Sequence, residues 1–369
     1  MPKLYEPHTQ ALTTLYGDIQ NFAHSQGQVT TGTPGGVYEH SNAAGFKYYV
    51  HQFYDARGKK VERYLAGPVG DKDADAKAEE FRNKLQALAG AVKNIRLLAR
   101  EGFKFVDSKS YATVATLHNH GLFQAGAMLI GSHAYGALLN ELGVRAAQYA
   151  TQDVDIARNA KLAFEKNPEL SFLDMLKSSG ISFVEVPSLD VRKPSTSFME
   201  PGKSFLKVDL LVPSPDEKIE IVPVPELKAH ATSLPYLKYL LGESQDATVL
   251  AREGCCAIRV PTPERFALHK LIVSQLRKRG EKSLKDASQA AVLLAVLSER
   301  HPRALEEAAD AVPHSACSHL ARAAVIARAA LDAHPRAIEV LDAITSSAGP
   351  KPDGGRRSAL AGRRAIQRG

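Results

Sequence analysis

Apolar and polar positions follow distinct rhythms along the chain, and each rhythm predicts a different kind of element. Over residues 5–28, Leu12, Tyr16, Ile19 and Phe22 recur at helical spacing and predict a first helix. From Thr30 to Pro68 the pattern switches to alternation around two turn signals, Asn42–Gly45 and Asp55–Gly58, which predicts a small antiparallel meander. Helical spacing returns between Asp71 and Gly102, where Leu85, Leu88, Val92, Ile95 and Leu98 share one face and Gly102 supplies an end signal.

Beyond Ser108 the texture becomes mixed α/β as far as about Pro213. AMLIGS (Ala127–Ser132) reads as a short apolar strand ending in a Gly-Ser turn, and HAYGALLNELG after it as a helix. QDVDIA and SFLKVDLLVP (Ser204–Pro213) read as two more strands, with a helix over Asn159–Ser178 and a Pro-containing loop over Val191–Gly202 between them. From Pro261 to about Ser347 the pattern is almost wholly helical and rich in Ala and Leu. The reading is an α/β protein with four parts: an N-terminal helix, small sheet and linking helix over 1–107, a mixed-sheet core over 108–259, a helical domain over 260–348, and a flexible basic tail over 349–369.

Composition adds limits. With 369 residues and 44% hydrophobic content the chain has ample material for a core. Its net charge of +7 and pI near 9.1 suit a polyanionic partner without requiring one. Cys255, Cys256 and Cys317 form neither a CxxC pair nor a disulfide framework. No apolar leader or membrane-length run stands out, so a soluble cytoplasmic protein with no membrane partner is expected. In the meander, Lys47, Lys59, Lys60 and Arg63 interleave with Tyr48, Tyr49, Tyr54 and Tyr64; a solvated basic face and a surface for phosphates and bases both fit. The five arginines of the tail admit the same two readings.

The candidate chemistry lies in the core. Asp153 and Asp155 flank Val154, so on a strand both point to one face, where two carboxylates repel unless a cation or proton joins them. Asp209 sits in LKVDLLV, a run with the pattern of a central strand; beside QDVDIA it brings a third carboxylate to the same edge. Three such oxygens suit Mg2+, and two ions ~3.5–4 Å apart can serve an attacking hydroxyl and a departing pyrophosphate. Gly131 would let backbone approach a phosphate, with Ser132 and the following helix N-terminus presenting donors. Lys270, on a helix launched by Thr262 and Pro263, can add a point charge. His133 reads as a helix-entry residue or a phosphate contact, Arg145 as solvent-facing or folded back toward the site, His269 as structural, and Ser195, Thr196 and Ser197 as turn chemistry or substrate contacts.

Gly131-Ser132, Asp153-Val154-Asp155 and Val208-Asp209-Leu210 resemble the signature of the DNA polymerase beta nucleotidyltransferase superfamily, with a longer gap between turn and first aspartate than in many members. The resemblance implies a mixed sheet backed by helices, two Mg2+ ions (with Mn2+ as the alternative), and transfer of a nucleoside monophosphate from an NTP such as ATP to a hydroxyl. Most of residues 35–295 is similar to a bacterial nucleotidyltransferase family in which a Tyr- and Gly-rich segment precedes the core. The segment Val260–Leu294 resembles abortive-infection and related toxin nucleotidyltransferases, in which a helical Lys, an Arg-containing turn and a Lys-Asp pair line the nucleotide pocket. Lys270, Lys285 and Asp286 match those positions, while Gln289 stands where that family has an acid. The resemblance implies an RNA end, transfer RNA above all, as acceptor, and an antitoxin as partner. A protein side chain, a small molecule such as an aminoglycoside, and a non-catalytic nucleic-acid-binding role for the same fold are the alternatives.

Overall fold

The computed structural model describes residues 3–147, 151–165, 169–188, 190, 192–202, 205–277 and 280–347. The basic tail over 349–369, together with Lys278 and Arg279, lies outside the described residues.

Helical periodicity in the N-terminal part becomes Gln10–Ser25 and the long helix Lys72–Arg100, whose Asp71 cap accepts from the Asp73 and Ala74 amides. The alternating segment becomes the meander Gly36–Ser41, Lys47–Tyr54 and Lys60–Ala66, all antiparallel. Residues Tyr5–Pro7, read as the start of the first helix, instead form a short strand antiparallel to Val144–Ala146. Glu141 ties the first helix to the core: Tyr16 donates to it at 2.7 Å, Gln20 at 2.5 Å and the Thr248 amide at 3.0 Å. Burial there pushes its carboxyl up to about 7.

The central sheet is mixed. Ala127–Ile130 runs antiparallel to Asp153–Arg158, which runs parallel to Lys207–Pro213. Lys207–Pro213 is next to Ala229–Leu234 in parallel, and Ile221–Val224 closes that edge antiparallel. Ser197–Met199 pairs with the first half of Lys207–Pro213, so the strand carrying Asp209 is flanked on both sides. Val208, Leu210 and Val212 bury one face of that strand, whereas Lys207, Asp209 and Leu211 on the other face line a cavity. The apolar run is thus central within the sheet but fully buried on one face alone.

Asn159–Ser178 is not one helix; among its described residues only Phe172–Lys177 is helical, capped by Ser171. Backbone donors ahead of it go to tertiary partners instead, Leu162 to Glu226 at 3.2 Å and Ala163 to the Ala125 carbonyl at 2.9 Å. After the sheet come the hairpin Ser244–Leu250 and Cys255–Pro261, and then the helices Pro263–Leu276, Glu281–Arg300, Pro302–Asp310, His314–Ala330 and Pro335–Ser347. One continuous apolar core joins the sheet to these helices, running through Leu129, Ile156, Val208, Phe266, Leu293 and Leu320. Among the described residues, no helix is long and apolar enough to cross a membrane.

Candidate active site

Strand register places the carboxylates. Asp155 stands opposite Ile130 on one side and opposite Asp209 on the other, and Lys207 stands opposite Asp153. Because facing residues of adjacent strands share a sheet face, Asp153, Asp155, Asp209 and Lys207 all rise from the same side.

Gly131 follows Ile130 directly and has φ +69°. A Cβ there would lie 2.0 Å from Asp155 Oδ2, so the glycine is what leaves room for the Asp155 carboxylate at the mouth of the helix Gly131–Glu141. The Gly-Ser turn thus seats an acid, a role beyond the approach to phosphate expected from the sequence. Gly131→Ala combines this overlap with a left-handed backbone and is expected to cost roughly 1–3 kcal/mol. Gly17→Ala, in open space on the first helix, is the control. A lower denaturant midpoint for Gly131→Ala alone is the expected result.

The acids are unequal. Desolvation first, and then the neighbouring Asp209 and Asp153 charges, push the Asp155 carboxyl up to about 6 against the pull of Lys270 and Lys207. Asp209 is better supplied: Ser197 donates its hydroxyl to it and Lys207 Nζ lies 2.9 Å away. Ser197 therefore faces the site from its own strand, while Ser195 bonds the Ser197 carbonyl and Thr196 pairs with Thr232.

Cations arrive from the helices. Lys270 reaches Asp286 at 2.6 Å, and Arg277 Nε lies 3.2 Å from the other oxygen of the same carboxylate. Lys285 is held below the usual lysine range by burial and by Lys270, with Asp286, Asp153 and Asp155 pulling the other way. Gly131, Ser132, Asp153, Asp155, Asp209, Lys270, Lys285 and Asp286 all line one cavity of about 650 Å3. Leu237, Leu240, Phe266 and Val273 are among its apolar lining residues.

Other candidates are placed differently. Arg145 pairs with Glu6 on the N-terminal strand. Gln289 is fully buried, and neither end of its amide has a hydrogen-bond partner. His269 lines the main cavity; burial, then Lys270 and Arg277, push its pKa down to about 3. His133 faces a neighbouring cavity. The sequence reading missed Lys207, although its place two residues before Asp209 on one strand was a usable signal.

A cavity edged by acids on a mixed sheet and by lysines on the helices behind it is built for a charged substrate. The family model of a nucleotidyltransferase matches residues 108–313, more than half of the chain. The chain belongs to this nucleotidyltransferase family. No curated protein and no solved structure gives a significant match. The matched span begins at the helix Ser108–Asn119 and ends just before His314–Ala330, so it takes in the sheet and every cavity-lining residue named above. A nucleotidyltransferase implies an NTP as one substrate.

Hard divalent cations prefer carboxylate oxygens. Asp153, Asp155 and Asp209 offer carboxylate oxygens on adjacent strands, and Asp155 holds its proton more strongly than an ordinary carboxyl because it is desolvated and then because Asp209 and Asp153 stand beside it. Among the described residues, no group of three His, Cys, Asp or Glu side chains is already arranged to hold a metal ion. Asp209 is engaged by Lys207 and Ser197, and an ion shared with it would have to compete with that ammonium.

Proposed function

We propose that the chain is a Mg2+-dependent nucleotidyltransferase of the polymerase beta type, moving a nucleoside monophosphate from an NTP to an acceptor hydroxyl. The observation that carries this reading is the register pairing Asp155 with Asp209, beside a Gly-Ser turn and opposite Lys270 and Lys285 in one cavity.

Asp153, Asp155 and Asp209 would hold the cations, Mg2+ or Mn2+. When bound, these ions neutralise the triphosphate and lower the proton affinity of the attacking oxygen. Ser132 and the amides at the start of the helix Gly131–Glu141 bind phosphate oxygens. Lys270, oriented by Asp286, and Lys285 offset triphosphate charge. The apolar wall around Leu237, Leu240 and Phe266 packs the nucleobase and excludes water. In the transfer, the acceptor oxygen bonds to the α-phosphorus while the bond from that phosphorus to the bridging oxygen breaks. Pyrophosphate leaves, and Asp209 takes the hydroxyl proton. Such catalysis is positioning and electrostatics.

Incubation with Mg2+, each α-labelled NTP in turn, and total RNA or total protein tests the reading. Label is expected in a macromolecular acceptor, and both chelation of the metal and Asp153→Ala should abolish it. Equal labelling by wild type and Asp153→Ala would overturn this assignment of the site.

A further inference from the structure

A second cavity, of about 850 Å3, adjoins the first. Thr151, Asp153, Lys282 and Lys285 line both, so the two spaces meet at a carboxylate assigned above to the reaction. One substrate in each cavity would face the other across Asp153.

The walls of the second cavity say what it holds. His133 is only 3% exposed, yet among the described residues neither of its ring nitrogens has a hydrogen-bond partner. A buried imidazole without partners is costly unless a polar ligand completes it. Burial also pushes its pKa down to about 4, so at neutral pH the ring is uncharged, with one donor and one acceptor. That suits a hydroxyl or a base edge better than a phosphate.

Phe205, 82% exposed, stands at this cavity with Phe105. An aromatic ring left in water beside a cavity is a platform on which a planar ring can stack. Lys282 and Lys285 add positive charge. Of the acids, Asp107 is spent capping the helix Ser108–Asn119, where it accepts from the Lys109 and Ser110 amides and the Ser110 hydroxyl. Asp153 belongs to the carboxylate set, and Glu281 is the third acid beside the two lysines. A stacking ring, a neutral partner for hydroxyls and two ammonium groups together describe a nucleotide.

We infer that the second cavity is the acceptor subsite and takes the 3′-terminal nucleotide of a single-stranded polynucleotide. Its base stacks on Phe205, its backbone phosphate lies at Lys282 and Lys285, and its sugar hydroxyls approach His133. The inference rests on the transfer chemistry proposed above; it assigns Phe205, Lys282 and His133, which that chemistry leaves unused, and shares Lys285 between the two substrates.

Binding of a fluorescently labelled single-stranded RNA oligonucleotide to the full chain, read by anisotropy, tests the subsite. Equilibrium dialysis of labelled ATP with Mg2+ reads the other cavity separately. Phe205→Ala is on the surface and should not disturb folding; it is expected to weaken RNA binding roughly tenfold. Lys282→Ala should weaken it too and lower the salt dependence by about one counterion. ATP affinity should stay the same in Phe205→Ala. His133→Phe is expected to erase the preference for RNA over DNA of the same sequence, and a preference that survives this change would remove His133 from the site. RNA binding unchanged in both Phe205→Ala and Lys282→Ala would overturn the subsite. If wild type binds ATP but no oligonucleotide, the subsite also falls while the transfer chemistry stands. If it binds the oligonucleotide through Phe205 but no nucleotide, the transfer chemistry is what fails.

Discussion

Asp155→Asn is expected to abolish nucleotidyl transfer and, in the same molecule, to stabilise the metal-free protein. The first effect follows from the role proposed for Asp155. An amide is a poor ligand for a hard cation, and losing one preorganised electrostatic partner costs on the order of a hundredfold or more in rate. The second effect follows from the environment. In the fold the carboxyl is desolvated and faces Asp209 and Asp153, which together push it from the ordinary 3.8 to about 6. A rise of that size sets about 3 kcal/mol against the ionised form. The sign is fixed by proton counting. Between pH 3.8 and about 6 the folded chain holds the Asp155 proton more often than the unfolded chain, so stability falls as pH rises through that window. Below it the side chain is protonated in both states and no cost remains. Asn carries no charge at any pH, so the variant should melt higher than wild type at neutral pH and converge with it near pH 4. Asp153 is exposed, and Asp153→Asn should lose activity without that gain. Thermal melts without metal at the two pH values, beside a transfer assay, check both halves. A variant no more stable at neutral pH would show that Lys207 and Lys270 already balance the acids.

How far the sequence spoke depended on whether a feature was local. The strands holding Asp153, Asp155 and Asp209 were legible because short apolar runs bounded by turn signals leave little else to form. The helix Lys72–Arg100 was legible for its unbroken 3.6-residue rhythm. All eight residues singled out as candidates line a single cavity, which order along the chain suggested and register brings about. What was hidden is tertiary. Ile221–Val224 and Ala229–Leu234 are short and separated by Pro225 and a left-handed Lys228, so no alternation of useful length marks them. Tyr5–Pro7 is a strand only because Val144–Ala146 offers it an edge. Lys207 was the exception, a local feature overlooked: it lies two residues before Asp209 on the same strand, with its ammonium on that carboxylate. The second cavity left no trace in periodicity, since Phe105, His133 and Phe205 come from three separate segments.

Asp286→Ala tests whether the helices behind the sheet hold the site together, and a loss of about 3–5 kcal/mol is expected. Asp286 is buried, and its two oxygens meet Lys270 at 2.6 Å and Arg277 at 3.2 Å. Taking away the acid leaves an almost fully buried ammonium with its countercharge gone, and that, more than the lost attraction, sets the cost. The variant should unfold at clearly lower denaturant, with Lys270 no longer aimed at the cavity. Replacing both partners, as Lys270→Met with Asp286→Leu, removes the stranded charge; apolar pairs of similar volume often match or exceed a buried ion pair. The double variant is therefore expected to recover most of the stability while NTP binding stays weak, because the Lys270 ammonium is no longer there to meet the triphosphate. Recovery of stability together with nucleotide affinity would reduce the pair to a structural tie. Recovery of neither would place the fault in the packing of Pro263–Leu276 against Glu281–Arg300. The expected split, fold restored and binding lost, is the behaviour of a lysine oriented for a substrate by an acid that never touches it.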